Sequence, residues 1–276
     1  MRFLTIVYLI SIGTLAKAQS IDFKAKPRKG HLYTHWGYNW ERYTKSDITF
    51  KGEGYNFTLE KVRARDRPSP FSVNTYFNIK KLSIPQYNFK IGYYFEENWD
   101  LSVAINHMKY VIHQNQVVKI SGVIANTQTT YDGTYADDDI QLSEDFLKFE
   151  HTDGLNYLNL ALRHSNVFKE TKNIDFTFTK AFGAGFVVPR TNSILISNER
   201  YDEFHLAGYG LNTTVGINVM FFDRLYLQSE LEGGFIHMPN IRTTQSTSDK
   251  ASQNMFYGQV NVVLGAMFDL SKKANK

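Results

Sequence analysis

The sequence predicts an all-β fold, a closed antiparallel transmembrane β-barrel of about eight strands with long extracellular loops and short periplasmic turns. Three observations predict it. Apolar and polar residues alternate with period two over many long segments. The connections between those segments run short, long, short, long. The apolar parity carries large aromatics, while small or polar residues hold the other.

The elements follow in order. Residues 1–18 read as a signal peptide, in which Arg2 supplies a positive start, Phe3 to Leu15 an apolar segment and Ala16-Lys17-Ala18 a cleavage site. Residues 19–29 are a polar, basic periplasmic tail. The barrel is expected over 30–270. Strand one, 30–43, sets Leu32, Trp36, Tyr38 and Trp40 on one face, with His35 and Asn39 on the other. The long connection 44–83 carries its own hairpin around "DITFKGEGYNFTLEKV".

Strands 84–95 and 98–113 flank the tight turn "EENW". Tyr87, Phe89, Ile91, Tyr93 and Phe95 share one parity before it, and Leu101, Val103 and Ile105 do so after it. A second long connection, 114–147, follows. Strands 148–165 and 174–189 are joined by "NVFKETKN", with Phe176, Phe178, Phe182 and Phe186 on one face of the latter. After the connection 190–204, strands 205–221 and 224–239 are joined by "FDR". The connection 240–254 leads to the last strand, 255–270, where Val260, Val262, Leu264 and Phe268 oppose Gln259, Asn261 and Gly265. The polar tail 271–276, "SKKANK", closes the chain.

Bulky apolar residues outside and small or polar ones inside is the reverse of a water-soluble barrel, so the outer solvent is lipid. Closure follows, because an open sheet edge in hydrocarbon leaves backbone groups unpaired. Aromatics make up 15% of the 276 residues, a share that suits strands. The mean hydropathy of −0.36 does not contradict a membrane protein of this kind, since only every second residue faces lipid. Beyond the signal no apolar run reaches the ~18 residues of a spanning helix. There is no cysteine, hence neither a lipid anchor at one nor a disulfide. Without Arg2 and Lys17 the basic count falls from 31 to 29 against 27 acids, a balance that argues against nucleic acid as partner.

With its signal peptide, its alternating strands and the terminal "VVLGAMFDL", the chain resembles the outer-membrane β-barrel superfamily, small OmpA- and OmpX-type members in particular. Its Tyr-heavy strands are similar to barrel proteins of Bacteroidetes. The resemblance spans roughly Gly30 to Leu270, and "SKKANK" after Leu270 departs from the usual aromatic end. It implies a place in the cell outer membrane of a Gram-negative organism. It also implies contact with outer-membrane lipid and lipopolysaccharide, and with the barrel-insertion machinery during biogenesis. Architecture does not imply activity.

Candidate chemistry is sparse. Histidines cluster at the expected extracellular ends: His107, His151, His205 and His237, beside Glu150, Asp153, Asp202 and Glu203. By parity His35, His151 and Asp153 face inward and form the set for a catalytic or metal site. No HExxH spacing is present, and no cofactor is expected. The element "LRHSN" resembles the H-x-S-N element of barrel lipid A deacylases, but His164 and Ser165 are adjacent and so point to opposite faces of a strand. The acidic loop 131–146 and the basic segment 61–67 fall in long loops and are expected on the same side.

The lumen is more informative. Lys90, Arg163, Glu230 and Glu232 all face inward, and counting from the periplasmic turns puts Lys90 and Glu230 at one height with Arg163 and Glu232 flanking them. Charges inside a narrow barrel persist when paired. The expected role is therefore a structural or surface-interaction protein with a filled lumen, binding surface partners through 44–83 and 114–147. The alternative is an outer-leaflet lipid-modifying enzyme, deacylase-like or acyltransferase-like.

Overall fold

The computed structural model describes residues 27–81, 84–196 and 200–270. The signal peptide, residues 19–26 of the tail and the tail 271–276 lie outside the described residues. In chain order the strands begin with β1 (His31–Tyr43), β2 (Ser46–Gly52), β3 (Tyr55–Val62), β4 (Ala64–Arg65), β5 (Tyr87–Tyr94) and β6 (Trp99–Ile112). Then come β7 (Val117–Ile124), β8 (Gly133–Gln141), β9 (Leu147–Glu170), β10 (Ile174–Leu195) and β11 (Tyr201–Phe204). The last three are β12 (Gly208–Phe221), β13 (Leu225–Arg242) and β14 (Lys250–Asp269). A single α-helical turn, α1 (Val73–Tyr76), and a 3-10 turn, Ile79–Lys81, precede β5.

Eight of these strands form an antiparallel ring in the order β1-β5-β6-β9-β10-β12-β13-β14, and β14 pairs back onto β1. A row of Cα partners followed from Leu32 passes through Tyr93, Leu101, Leu162, Phe182, Thr213, Gly233 and Gly258. It returns to β1 at Arg42, ten residues beyond its start. With ~3.3 Å per residue and ~4.8 Å between strands, that stagger tilts the strands by about 40°.

The two faces of the ring have different solvents. Val103, Leu160, Phe182, Ile217, Leu231 and Leu264, one from each of six strands, are exposed on the outside. An apolar girdle running round a protein exceeds any patch that water tolerates, and its solvent is lipid. Inside, the rings of Tyr33 and Tyr226 lie over glycines on the neighbouring strands. A Cβ on Gly92 would stand 2.2 Å from Tyr33, and one on Gly265 would stand 2.1 Å from Tyr226.

Towards the end with the long connections the pattern inverts. β14 pairs with β2, and β3, β7 and β8 follow, extending the wall as a sheet beyond the girdle. There the apolar side chains turn inward. Ile48 and Phe50 of β2, Phe57 and Leu59 of β3, Phe149 of β9, Met238 of β13 and Met255 of β14 share one core. Water has replaced lipid outside, so the hydrophobic effect reverses its preferred face.

This sheet corrects several expectations. The 47–62 hairpin is present as β2 and β3. The connection 114–147, expected as a loop, holds β7 and β8. Strand β9 runs on to Glu170, so the turn expected over 166–173 shrinks to 171–173. β10, β13 and β14 likewise reach into the segments expected as the loops 190–204 and 240–254. The acidic and basic segments share the long-connection end. Asp137, Asp138 and Asp139 stand on β8, the outermost strand of the sheet, and Lys119 reaches Asp139 at 3.1 Å.

Candidate functional site

The ring converges its polar side chains on the lumen in layers. Near the short-turn end, the Arg163 Nε donates to Asp100 Oδ2 at 2.7 Å, and Tyr33 Oη donates to Asp100 Oδ1 at 2.6 Å. The Arg163 guanidinium lies over the Tyr33 ring, 4.2 Å from its centroid. Below this layer Arg28, at the end of the N-terminal tail, reaches in and donates to Thr177 Oγ1 at 2.7 Å.

At mid-height Lys90 Nζ lies 3.4 Å from Glu230 Oε1, and both side chains are buried. Gln228 donates to the same Glu230 oxygen at 2.5 Å, and Asn261 to the other at 3.2 Å. Among the described residues Glu232 forms no salt bridge within 4 Å. It accepts from Asn106 at 2.9 Å, Tyr257 at 2.7 Å and Thr214 at 3.1 Å. Arg163 stands one layer below the Lys90–Glu230 pair, and its own ion pair is with Asp100 on the adjoining strand. Asp100 shares the parity of Ser102 and Asn106, a signal available in the sequence.

The candidate set His35, His151 and Asp153 is not assembled. His35 sits in the lumen between Asn88 Oδ1, 3.0 Å from its Nε2, and the Tyr226 hydroxyl, 3.2 Å from its Nδ1. Its row passes through Lys90 and Ala104 to Asn159, eight residues along β9 from His151. That is about 26 Å of strand. His151 is fully buried against Phe149 and Tyr110, and neither ring nitrogen has a hydrogen-bond partner among the described residues. Asp153 is exposed, with Arg190 at 3.7 Å. The cause is local: Gly154 has φ +127°, and the pairing of β6 with β9 slips between Met108 and Tyr110. The strand's parity breaks there and turns Asp153 away from the lumen. Among the described residues no group of three or more His, Asp or Glu could hold a metal ion.

His164 packs on Trp99 on the outer face, whereas Ser165 is buried and bonds the Tyr94 hydroxyl at 3.0 Å. They do not form an acid–base pair.

The mouth at the long-connection end is built differently. β5 starts at Tyr87, opposite Tyr38 on β1 and His107 on β6, which leaves Asn39–Tyr43 and Met108–Ile112 without a β5 neighbour. The chain from β4 fills this notch. Ala64 and Arg65 pair with Ile112 and Val111, and Asp66 Oδ2 accepts from the Glu41 backbone N–H at 3.0 Å. Gln86 donates to the Glu41 carboxylate, and Arg67 pairs with Glu150 at 3.0 Å. Among the described residues nothing donates to Glu41 Oε1, Asp66 Oδ1 or Gln86 Oε1.

Burial pushes the Asp66 carboxyl up from its ordinary value, against the pull of its backbone bond from Glu41. The folded chain therefore holds this proton to higher pH than the unfolded one. Its destabilising contribution is absent below the ordinary carboxylate range and complete once pH passes the raised value. A spin label at Ser72→Cys should accordingly gain mobility as pH rises through that window. Asp66→Asn should reduce the change, and an unaltered profile in that variant would reject the assignment.

No family model matches the chain, nor does any curated protein. Solved structures similar to it include Ail, the attachment invasion locus protein of Yersinia pestis, in complex with the heparin analogue sucrose octasulfate. That structure is 11% identical, with 87% of this chain and 99% of that one covered and a TM-score of 0.33. The outer membrane protein OprG from Pseudomonas aeruginosa is 11% identical over 88% and 97%, TM-score 0.38. Neisserial surface protein A is 8% identical over 87% and 98%, TM-score 0.36. Likeness of this degree carries nothing about what the chain does.

Proposed function

We propose that the protein is an integral β-barrel of the outer membrane whose lumen is sealed and whose work is done on its outer sheet, as a structural or surface-interaction protein. The observation that carries this reading is the bonding of inward side chains from wall to wall. Arg28 to Thr177, Lys90 to Glu230, Asn106 to Glu232 and Gln253 to Tyr110 span successive heights. Eight strands enclose a lumen that side chains fill. The apolar girdle supports the membrane placement, and the long connections 44–83 and 114–147 are the surface for a partner. Lipopolysaccharide on the outer side and the insertion machinery during biogenesis belong to the same proposal. An outer-leaflet lipid-modifying activity gains no support, since His35, His151 and Asp153 stand apart.

Reconstitution in planar bilayers tests the seal. The expected result is no steady conductance at either polarity. Stable ohmic steps from the native protein would overturn the sealed lumen.

A further inference from the structure

The chain between β4 and β5 does not stay over the mouth. Past Arg67, which holds Glu150 at the mouth, its segment "PSPFSVNTYFNIKK" passes to the outside of the barrel, where Tyr76 meets Tyr38. α1 is a single turn, capped by Ser72, whose Oγ accepts from the Thr75 N–H at 3.1 Å. The turn delivers Tyr76 onto Tyr38, edge to face with centroids 4.7 Å apart. The Tyr38 hydroxyl donates to the Tyr76 carbonyl, and the Tyr76 hydroxyl donates to the Ser69 carbonyl at 2.7 Å. Tyr38 belongs to the outward face of β1, two residues above Trp36, and Trp36 stacks on Tyr87 with centroids 4.4 Å apart. The strap is therefore docked on the wall that faces lipid, at the height of its aromatic belt.

Its free face is unusual for a loop in water. Phe71 is 75% exposed, and Val73 and Phe77 are each 70% exposed. Polar segments fold with such residues covered. Lys80 and Lys81 follow three and four residues after Phe77, and no acid occurs from Arg67 to Phe95. An apolar triad beside two lysines, continuous with a lipid-facing wall, has the pattern of an element lying in a membrane interface.

We propose that this strap is a second, in-plane membrane anchor: Phe71, Val73 and Phe77 enter the acyl region beside β1, and Lys80 and Lys81 rest on the phosphates of anionic lipid headgroups. The inference rests on the membrane reading above. It adds a lipid-binding site outside the barrel wall that favours negatively charged lipid.

The absence of cysteine permits a direct test with single spin labels. Labels go at Val73→Cys and Phe77→Cys, with Val103→Cys on the girdle and Val117→Cys on β7 as references, each reference being 62% exposed. The proteins are placed in phosphatidylcholine vesicles with and without a third of phosphatidylglycerol. Heat-modifiable gel migration confirms that each variant has folded. The expected result is that oxygen relaxes labels 73, 77 and 103 more than a water-soluble nickel reagent does, with the reverse at 117. Lys80→Gln with Lys81→Gln should move labels 73 and 77 towards water and remove their response to phosphatidylglycerol. Labels 73 and 77 behaving as 117 does, while 103 reports lipid, would overturn the anchor. So would labels shielded from both reagents, which would mean that a protein or a second copy covers the strap. A charge-reversed response to phosphatidylglycerol, or none, would remove the headgroup site. Water at 103 would instead overturn the membrane reading itself.

Discussion

Arg163→Ala is expected to destabilise the barrel by about 3–5 kcal/mol, the cost of leaving one member of a buried ion pair without its partner. Asp100 is fully buried, and Arg163 supplies its 2.7 Å charged donor. Tyr33 alone cannot replace that charge, and its own ring loses the guanidinium that covers it. Urea unfolding in a reversible lipid or detergent system reads the loss. Removing both charges in Asp100→Asn with Arg163→Met should recover most of it, because a neutral pair costs no unpaired carboxylate. If the double variant is no better than the single one, the loss comes from packing and the pair is not the cause.

A comparable loss, about 3–5 kcal/mol, is expected for Glu230→Ala. Here three donors are orphaned at once. Lys90, Gln228 and Asn261 all address the Glu230 carboxylate, and all are buried. Lys90→Met in the Glu230→Ala background should restore part of the stability by removing the stranded cation. The same urea titration decides the matter. A loss under about 1 kcal/mol would mean that water entering the lumen solvates these groups separately, as it does for exposed pairs.

Strands within the girdle were legible because one rule governs them, lipid outside and polar residues inside. Tyr87, Phe89, Ile91 and Tyr93 keep one parity along β5, while Asn88, Lys90 and Gly92 keep the other. Counting from the turns puts Lys90 and Glu230 at one height, and they lie 3.4 Å apart. Beyond the girdle the rule inverts, and the parity reading loses its anchor. Ala251 and Met255 of β14 and Phe149 of β9 are apolar and inward, so these strands merge with the aromatics outward lower down. β8, "GTYADDDIQ", packs Tyr135 and Ile140 against the core, but they stand five residues apart across an irregularity at Asp137, φ +64°, so no period-two signal distinguishes it from a loop. Asp153 shows a third limit. Its parity was right for a regular strand, and the break beside Gly154 that turns it outward depends on pairing with β6. Arg163 was placed in the lumen, but its nearest carboxylate is a matter of adjacent strands, which sequence counting along single hairpins does not resolve.

The girdle has a further consequence, for the unfolded chain. Along any barrel strand the lipid-seeking residues are interleaved one for one with water-seeking ones, so an extended segment does carry an apolar face. What it lacks alone is a partner for its backbone N–H and C=O groups. Only when neighbouring strands satisfy those groups does hydrocarbon become tolerable for the main chain. Val103 of β6 becomes a lipid contact only once Ile91 of β5 and Leu160 of β9 stand beside it. In hydrocarbon, each strand of this molecule therefore needs both of its neighbours.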